Sequence, residues 1–95
     1  GMVRNQVKKI ETLQNHYEFH RDRIVPLWQQ TVQAARTAYA ADQVTVLELL
    51  TPQRQLWKAE SVLQHHLAEY WSAVAELEAV VGTNLELPSA VEEKP

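Results

Sequence analysis

The chain has 95 residues, 45% of them apolar and 22% charged, with a formal charge of −3 and no cysteine. That length makes one domain at most, with little interior, and the apolar content excludes gross disorder. Disulfides and zinc–thiolate sites are excluded, a net negative charge without a basic block disfavours phosphate neutralisation on nucleic acid, and no apolar run approaches the roughly 20 residues of a bilayer-spanning helix.

Only Gly1 and Gly82 are glycines, too few for a β-rich fold or a phosphate-cradling loop. The apolar residues instead keep a heptad spacing. The first stripe runs Val3, Gln6, Ile10, Leu13, Tyr17, His20, Ile24, Leu27, Thr31, Ala34, Ala38, in steps that alternate 3 and 4. It predicts a helix over 3–41 with one seam. This helix has no start signal, and Arg4, Lys8 and Lys9 oppose its macrodipole. Together with Gly1–Met2, which has the look of a cleavage scar, this suggests a helix cut from a longer stave. Pro26 lies inside the pattern and predicts a kink.

The turn is expected at 42–44. After it, Thr45-Val-Leu-Glu48 forms a capping box, with Thr45 accepting from the Glu48 amide and the Glu48 carboxylate reaching back. A second helix over 45–81 carries the stripe Leu49, Gln53, Leu56, Glu60, Leu63, Leu67, Tyr70, Val74, Leu77, Val81. Pro52 bends it, or else Thr51–Pro52 caps a new helix after a short separate segment over 44–50. Gly82 stands where a C′ glycine ends a helix, and 83–95, with Pro88 and Pro95, reads as an extended or disordered tail. The expected fold is all-α, a long antiparallel two-helix hairpin of coiled-coil type that completes a helical bundle by oligomerisation.

Around the turn, Ala35–Arg36, Tyr39, Thr45, Glu48, Leu50, Gln53–Arg54, Leu56 and Ala59–Glu60 fall in one register. Arg23-Ile-Val-Pro-Leu27 precedes them, and Ala68-Glu-Tyr70 and Leu77…Gly82 follow. Over residues 10–82 this arrangement resembles the C-terminal repeat of TolC-type outer-membrane efflux proteins. The resemblance implies a trimeric conduit in which a β-barrel crosses the outer membrane and twelve helices form a periplasmic α-barrel. It implies a location in the outer membrane and periplasm of a Gram-negative-type cell, with a periplasmic adaptor (membrane-fusion) protein and an inner-membrane pump as partners. The fragment itself holds no barrel strands and is expected to be soluble and not to span a membrane.

In that family the turn is the channel tip, where the duct closes and the adaptor docks. The resemblance therefore carries adaptor docking to Ala41, Asp42 and Gln43, and a gate to Glu48 and Thr51. Two departures matter. The family's tip glycine falls on Asp42, a residue that enters left-handed backbone less readily than glycine. Thr51 stands where a second acid is frequent, so a double acidic gate is not supported. Glu48 has two readings: the capping box, or an acidic ring around a trimer axis that favours cations.

Four histidines form the other candidate. His16 and His20 share a helix face, and a turn centred near 43 sets His20 opposite His66. His16, His20 and His66 are the set a three-imidazole metal site would use, with Glu69 as the available carboxylate. The simpler account is packed, hydrogen-bonded histidines, and neither a cofactor nor a metal is expected. Arg54 and Lys58 read as a solvated face. Trp28, Trp57, Trp71 and Phe19 lie off the seam and call for burial against neighbouring helices. Ser61 and His65 lack an orienting acid and an oxyanion hole, so no enzyme is expected. The alternative to an efflux stave is a coiled-coil interaction module with no transport role, associating as a dimer or bundle.

Overall fold

The computed structural model describes the backbone of residues 1–93 and the side-chain surroundings of residues 1–83. Helix α1 (Met2–Phe19) runs through a π-helical turn (His20–Ile24) into α2 (Val25–Ala40), and after a reversal at 41–45 helix α3 (Val46–Glu93) returns along both. No strand occurs among the described residues. The rod measures 79 × 21 × 14 Å, the thickness of two helices side by side. Among the described residues, no helix is long and apolar enough to cross a membrane.

The first arm is uninterrupted, and the reason lies at Pro26. Proline has no amide hydrogen, and its ring collides with the carbonyl four residues back in a regular helix. The chain answers by widening one turn just upstream, over His20–Ile24, which leaves Pro26 in the first turn of α2. The residues flanking the wide turn keep right-handed helical dihedrals, so the arm meets Pro26 with a π-bulge rather than a break.

A π-bulge inserts one residue, so beyond it the best-covered positions shift off the stripe that the sequence predicts, although Thr31 and Ala38 of that stripe stay half-buried. Up to the bulge the expected seam holds from its second position, with Gln6, Ile10, Leu13, Tyr17, His20 and Ile24 all half-buried, while its first residue, Val3, is exposed. Beyond it the buried set moves forward by one. Val25 and Val32 are buried, Trp28 and Ala35 are half-buried, and the expected seam residue Leu27 is 54% exposed. Trp28, expected off the seam, is thereby drawn partly into it.

The second arm shows a related correction. Leu49, Gln53, Leu56, Leu63, Leu67, Tyr70, Val74 and Leu77 are half-buried as expected, but Glu60 and Val81 face solvent. The alternate seam positions are Pro52, Ala59, His66, Ala73 and Val80, each one residue earlier than the predicted stripe. Small residues at these positions let the backbones approach, and Ala59 and Ala73 are almost wholly covered. α3 passes through Pro52 without a break, so 44–50 is no separate segment.

α3 also passes through Gly82 and continues to Glu93. The expected stop at Gly82 and an extended tail from 83 are not found over 83–93; Lys94 and Pro95 lie outside the described residues. No glycine has a positive φ, so Gly82 does not act as a left-handed cap. A helical glycine costs only about 1 kcal/mol relative to alanine, and the strong helix formers Leu85, Glu86 and Leu87 follow it.

A paired clasp closes the far end of the seam. Lys9 Nζ reaches Glu76 Oε2 at 3.2 Å, and Gln6 Nε2 donates to the same oxygen at 3.4 Å. Both charged partners are about half exposed, so this clasp fixes register more than it adds stability.

The close approach at Ala73 is testable against its neighbour Ala75, which faces solvent. Ala73→Leu overpacks the seam and should cost about 1–3 kcal/mol, whereas Ala75→Leu should stay within about 0.5 kcal/mol. Thermal melts followed by circular dichroism would compare the two.

Candidate functional site

Two places on the rod gather the residues that the sequence singled out: the reversal at one end and a layer of imidazoles midway along it.

At the reversal, α2 ends in a Schellman arrangement. The Gln43 amide donates to the Ala38 carbonyl at 2.8 Å and the Asp42 amide to the Tyr39 carbonyl at 3.0 Å. These are the two bonds that close such a cap, and they require left-handed backbone at the residue between. That residue is Asp42, at φ 57°. The site that the resemblance assigns to a tip glycine is thus the one left-handed position among the described residues.

The chain then re-enters helix through Thr45. Its Oγ1 accepts from the Glu48 amide at 3.2 Å, and its carbonyl accepts from the Leu49 amide at 3.1 Å. This is half of the expected capping box; among the described residues the Glu48 carboxylate makes no return bond. Glu48 is exposed and lies in the first turn of α3, where a negative charge favours the helix dipole. Thr51 turns its hydroxyl back to the Leu47 carbonyl at 3.0 Å, so as the structure stands it is engaged with its own helix. Ala41, Asp42 and Gln43 are all exposed. Just behind them an open concavity of about 660 Å³ lies between the arms, with Trp28, Ala34, Ala35, Val44 and Pro52 among the residues that line it. Arg36 Nη2 ties the arms beside it by donating to Gln53 Oε1 at 3.2 Å. Arg54 and Lys58 are exposed.

Midway along the rod the histidines meet. The His66 ring on α3 stands 5.4 Å from that of His20 and 6.0 Å from that of His16, centre to centre. His20 Nε2 lies 2.9 Å from the Ala59 carbonyl. A carbonyl only accepts, so Nε2 carries the hydrogen and Nδ1 keeps the lone pair. Glu69 Oε1 is 3.2 Å from Nε2 of the exposed His65 and 3.6 Å from Nδ1 of His66. His66 Nδ1 is buried and without a hydrogen-bond partner. As the rings stand, no three His, Asp or Glu side chains among the described residues are placed to hold one metal ion.

The widened turn itself carries a bidentate pair. Arg21 donates from Nε and Nη2 to the two carboxylate oxygens of Asp22 at 2.8 and 3.0 Å and lies 5.4 Å from the Tyr17 ring centre. These hydrogen bonds hold the Asp22 carboxyl below its usual range, and the same partner raises Arg21. Both groups are exposed, so the pair contributes little to stability.

Sequence reasoning missed the Lys9–Glu76 clasp and the Arg36–Gln53 bridge. For Lys9 and Glu76 the signal was available, because the register that sets His20 opposite His66 brings them within one residue of each other; Arg36 and Gln53 lie three residues off that register and needed the structure.

No family model matches the chain, and no curated protein or solved structure matches it either.

The cap at Asp42 makes a sharp prediction. Asp42→Gly removes the left-handed cost and should raise stability by about 0.5–1 kcal/mol, whereas Asp42→Val should lower it by more than that. For a chain of this size, 1 kcal/mol is about 4–8 °C in Tm, which differential scanning calorimetry resolves.

Proposed function

We propose that this chain is a periplasmic stave of an outer-membrane efflux duct, with its reversal as the tip that meets an adaptor protein. The observation that carries the reading is a second apolar stripe on the face away from the seam. On α3, Leu50, Trp57 and Trp71 recur at multiples of seven, and Trp57 and Trp71 are 60% and 58% exposed. On the first arm, Phe19 and Leu27 are eight apart, a heptad plus the inserted π residue, and both are more than half exposed. A helix with one partner needs one stripe; a helix in a closed ring has neighbours on both sides and needs two.

Support also comes from the tip. The resemblance puts the family's glycine at position 42, and position 42 is the left-handed residue of the reversal. Ala41–Gln43 would then face the adaptor, and Glu48 would line the passage as a member of an acidic ring built from equivalent chains. Aspartate in place of glycine places a carboxylate at the docking point, so the complementary adaptor loop is expected to offer a donor or a cation there. The pump would choose the exported substrate.

A second reading is a coiled-coil interaction module without transport. The same exposed stripe favours it, since a dimer of hairpins would also cover Trp57 and Trp71.

The open reading frame around this segment separates the two. The efflux reading expects an upstream repeat of the same hairpin and amphipathic strands of about 10 residues between the repeats. A reading frame that contains neither would remove it and leave the interaction module.

A further inference from the structure

We infer that the outer face of α3 pairs with the same face of a second copy of this chain, antiparallel, with Arg54 of each copy against Glu78 of the other. The inference rests on the outer stripe being an interface, a premise common to both readings above, and not on transport.

The face is a second heptad. Leu50, Trp57, Gln64, Trp71 and Glu78 recur every seven residues along α3. Arg54, Ser61, Ala68, Ala75 and Gly82 form a companion row, each four residues further on. Together the rows make the alternating 4-and-3 spacing of a coiled-coil seam. All of these residues are exposed except Gly82, which is half-buried. At about 3.6 residues per turn the face lies nearly opposite the seam that holds Ala59 and Ala73, so a helix laid on it does not compete with the first arm.

The two rows complement each other. The first carries the bulk, including both indoles; the second, beyond Arg54, holds a serine, two alanines and a glycine. Knobs need holes, and small residues supply them. A two-fold contact makes residue i of one copy meet j of the other, and j meet i. In one antiparallel register Trp57 faces Ala75 of the partner, Trp71 faces the partner's Ser61, and Leu50 faces the partner's Gly82. Each large side chain then lies over a small one. The overlap from Leu50 to Gly82 is about 50 Å of helix at roughly 1.5 Å per residue.

Charge selects the same register. Arg54 and Glu78 are the only charged residues in the two rows, and this register sets each opposite the other at both ends of the contact. A slip of one heptad parts them. A parallel pair sets every residue beside its own copy, with arginine against arginine, glutamate against glutamate and indole against indole. Like charges so placed oppose association, and opposite charges fix register and partner.

The test is a charge exchange followed by sedimentation equilibrium, with helicity checked by circular dichroism. The unaltered chain should form a dimer. Arg54→Glu and Glu78→Arg should each weaken it about ten-fold or more, because each sets two like-charge pairs at the ends, and the double variant should restore it. Ala75→Leu, which leaves the seam of the dilute hairpin alone, should also weaken the dimer by filling the place of the partner's Trp57. A spin label on Ala79→Cys, in a chain with no other cysteine, should read about 40 Å to its copy, against about 10 Å in a parallel pair. A monomer at all concentrations overturns the proposal together with its premise. Association that ignores the single exchanges, that the double variant does not restore, or that brings the labels close overturns this arrangement alone and leaves the outer stripe as an interface of another kind.

Discussion

Two antiparallel helices share one seam, and that geometric limit governs everything else in this molecule. A rod 21 Å by 14 Å in section has no interior in which large side chains can be enclosed. The covered side chains are accordingly small or slender: Val25, Val32, Pro52, Ala59 and Ala73. Burying them contributes modestly, at about 25 cal/mol for each Å² removed from water. The large aromatic and aliphatic groups that would contribute most are left on the outside, at Phe19, Leu27, Trp57 and Trp71. Exposed apolar groups of this size are the kind that partner surfaces cover, which is the basis of the proposed interface.

The seam in turn depends on two local devices of backbone chemistry. At one end, Asp42 takes the left-handed conformation that reverses the chain within a few residues, and Thr45 starts the return helix. In the middle of the first arm, the π-turn absorbs the missing amide of Pro26 without breaking the helix. Because that turn adds a residue, it decides which face of α2 meets α3. It places Trp28 beside the concavity behind the tip and turns Leu27 outward into line with Phe19. One proline therefore shapes the inner surface near the tip and the outer stripe together. The histidine layer begins at the same turn, since His20 is its first residue and donates its Nε2 hydrogen to the Ala59 carbonyl across the seam.

Much of this was legible in the residues. Heptad spacing gave both arms, the Thr45 cap located the start of α3, and simple opposition across the turn brought His16, His20 and His66 together. What escaped was of two kinds. The first was a change of period: a stripe read at constant 3-and-4 spacing cannot anticipate an inserted residue, so Leu27 and Ala34 were assigned to the seam where Trp28 and Ala35 are the more covered. On α3 the stripe took Glu60 where its neighbour Ala59 is the covered residue, because close helix approach favours the small side chain. The second was an overvalued signal. Gly82 resembles a C′ glycine, but glycine within a helix costs too little to end one when good helix formers follow. The ion pair between Lys9 and Glu76, by contrast, required only that the histidine register be extended to the far end of the rod.

The account stands on the claim that the outer stripe is an interface. Sedimentation equilibrium of the chain, paired with tryptophan emission across the same concentrations, addresses it most directly. The account predicts reversible self-association accompanied by a blue shift as Trp57 and Trp71 leave water, and loss of both effects in Trp57→Glu/Trp71→Glu with helicity retained. A stable monomer at all concentrations, with solvent-exposed tryptophan emission, would contradict it.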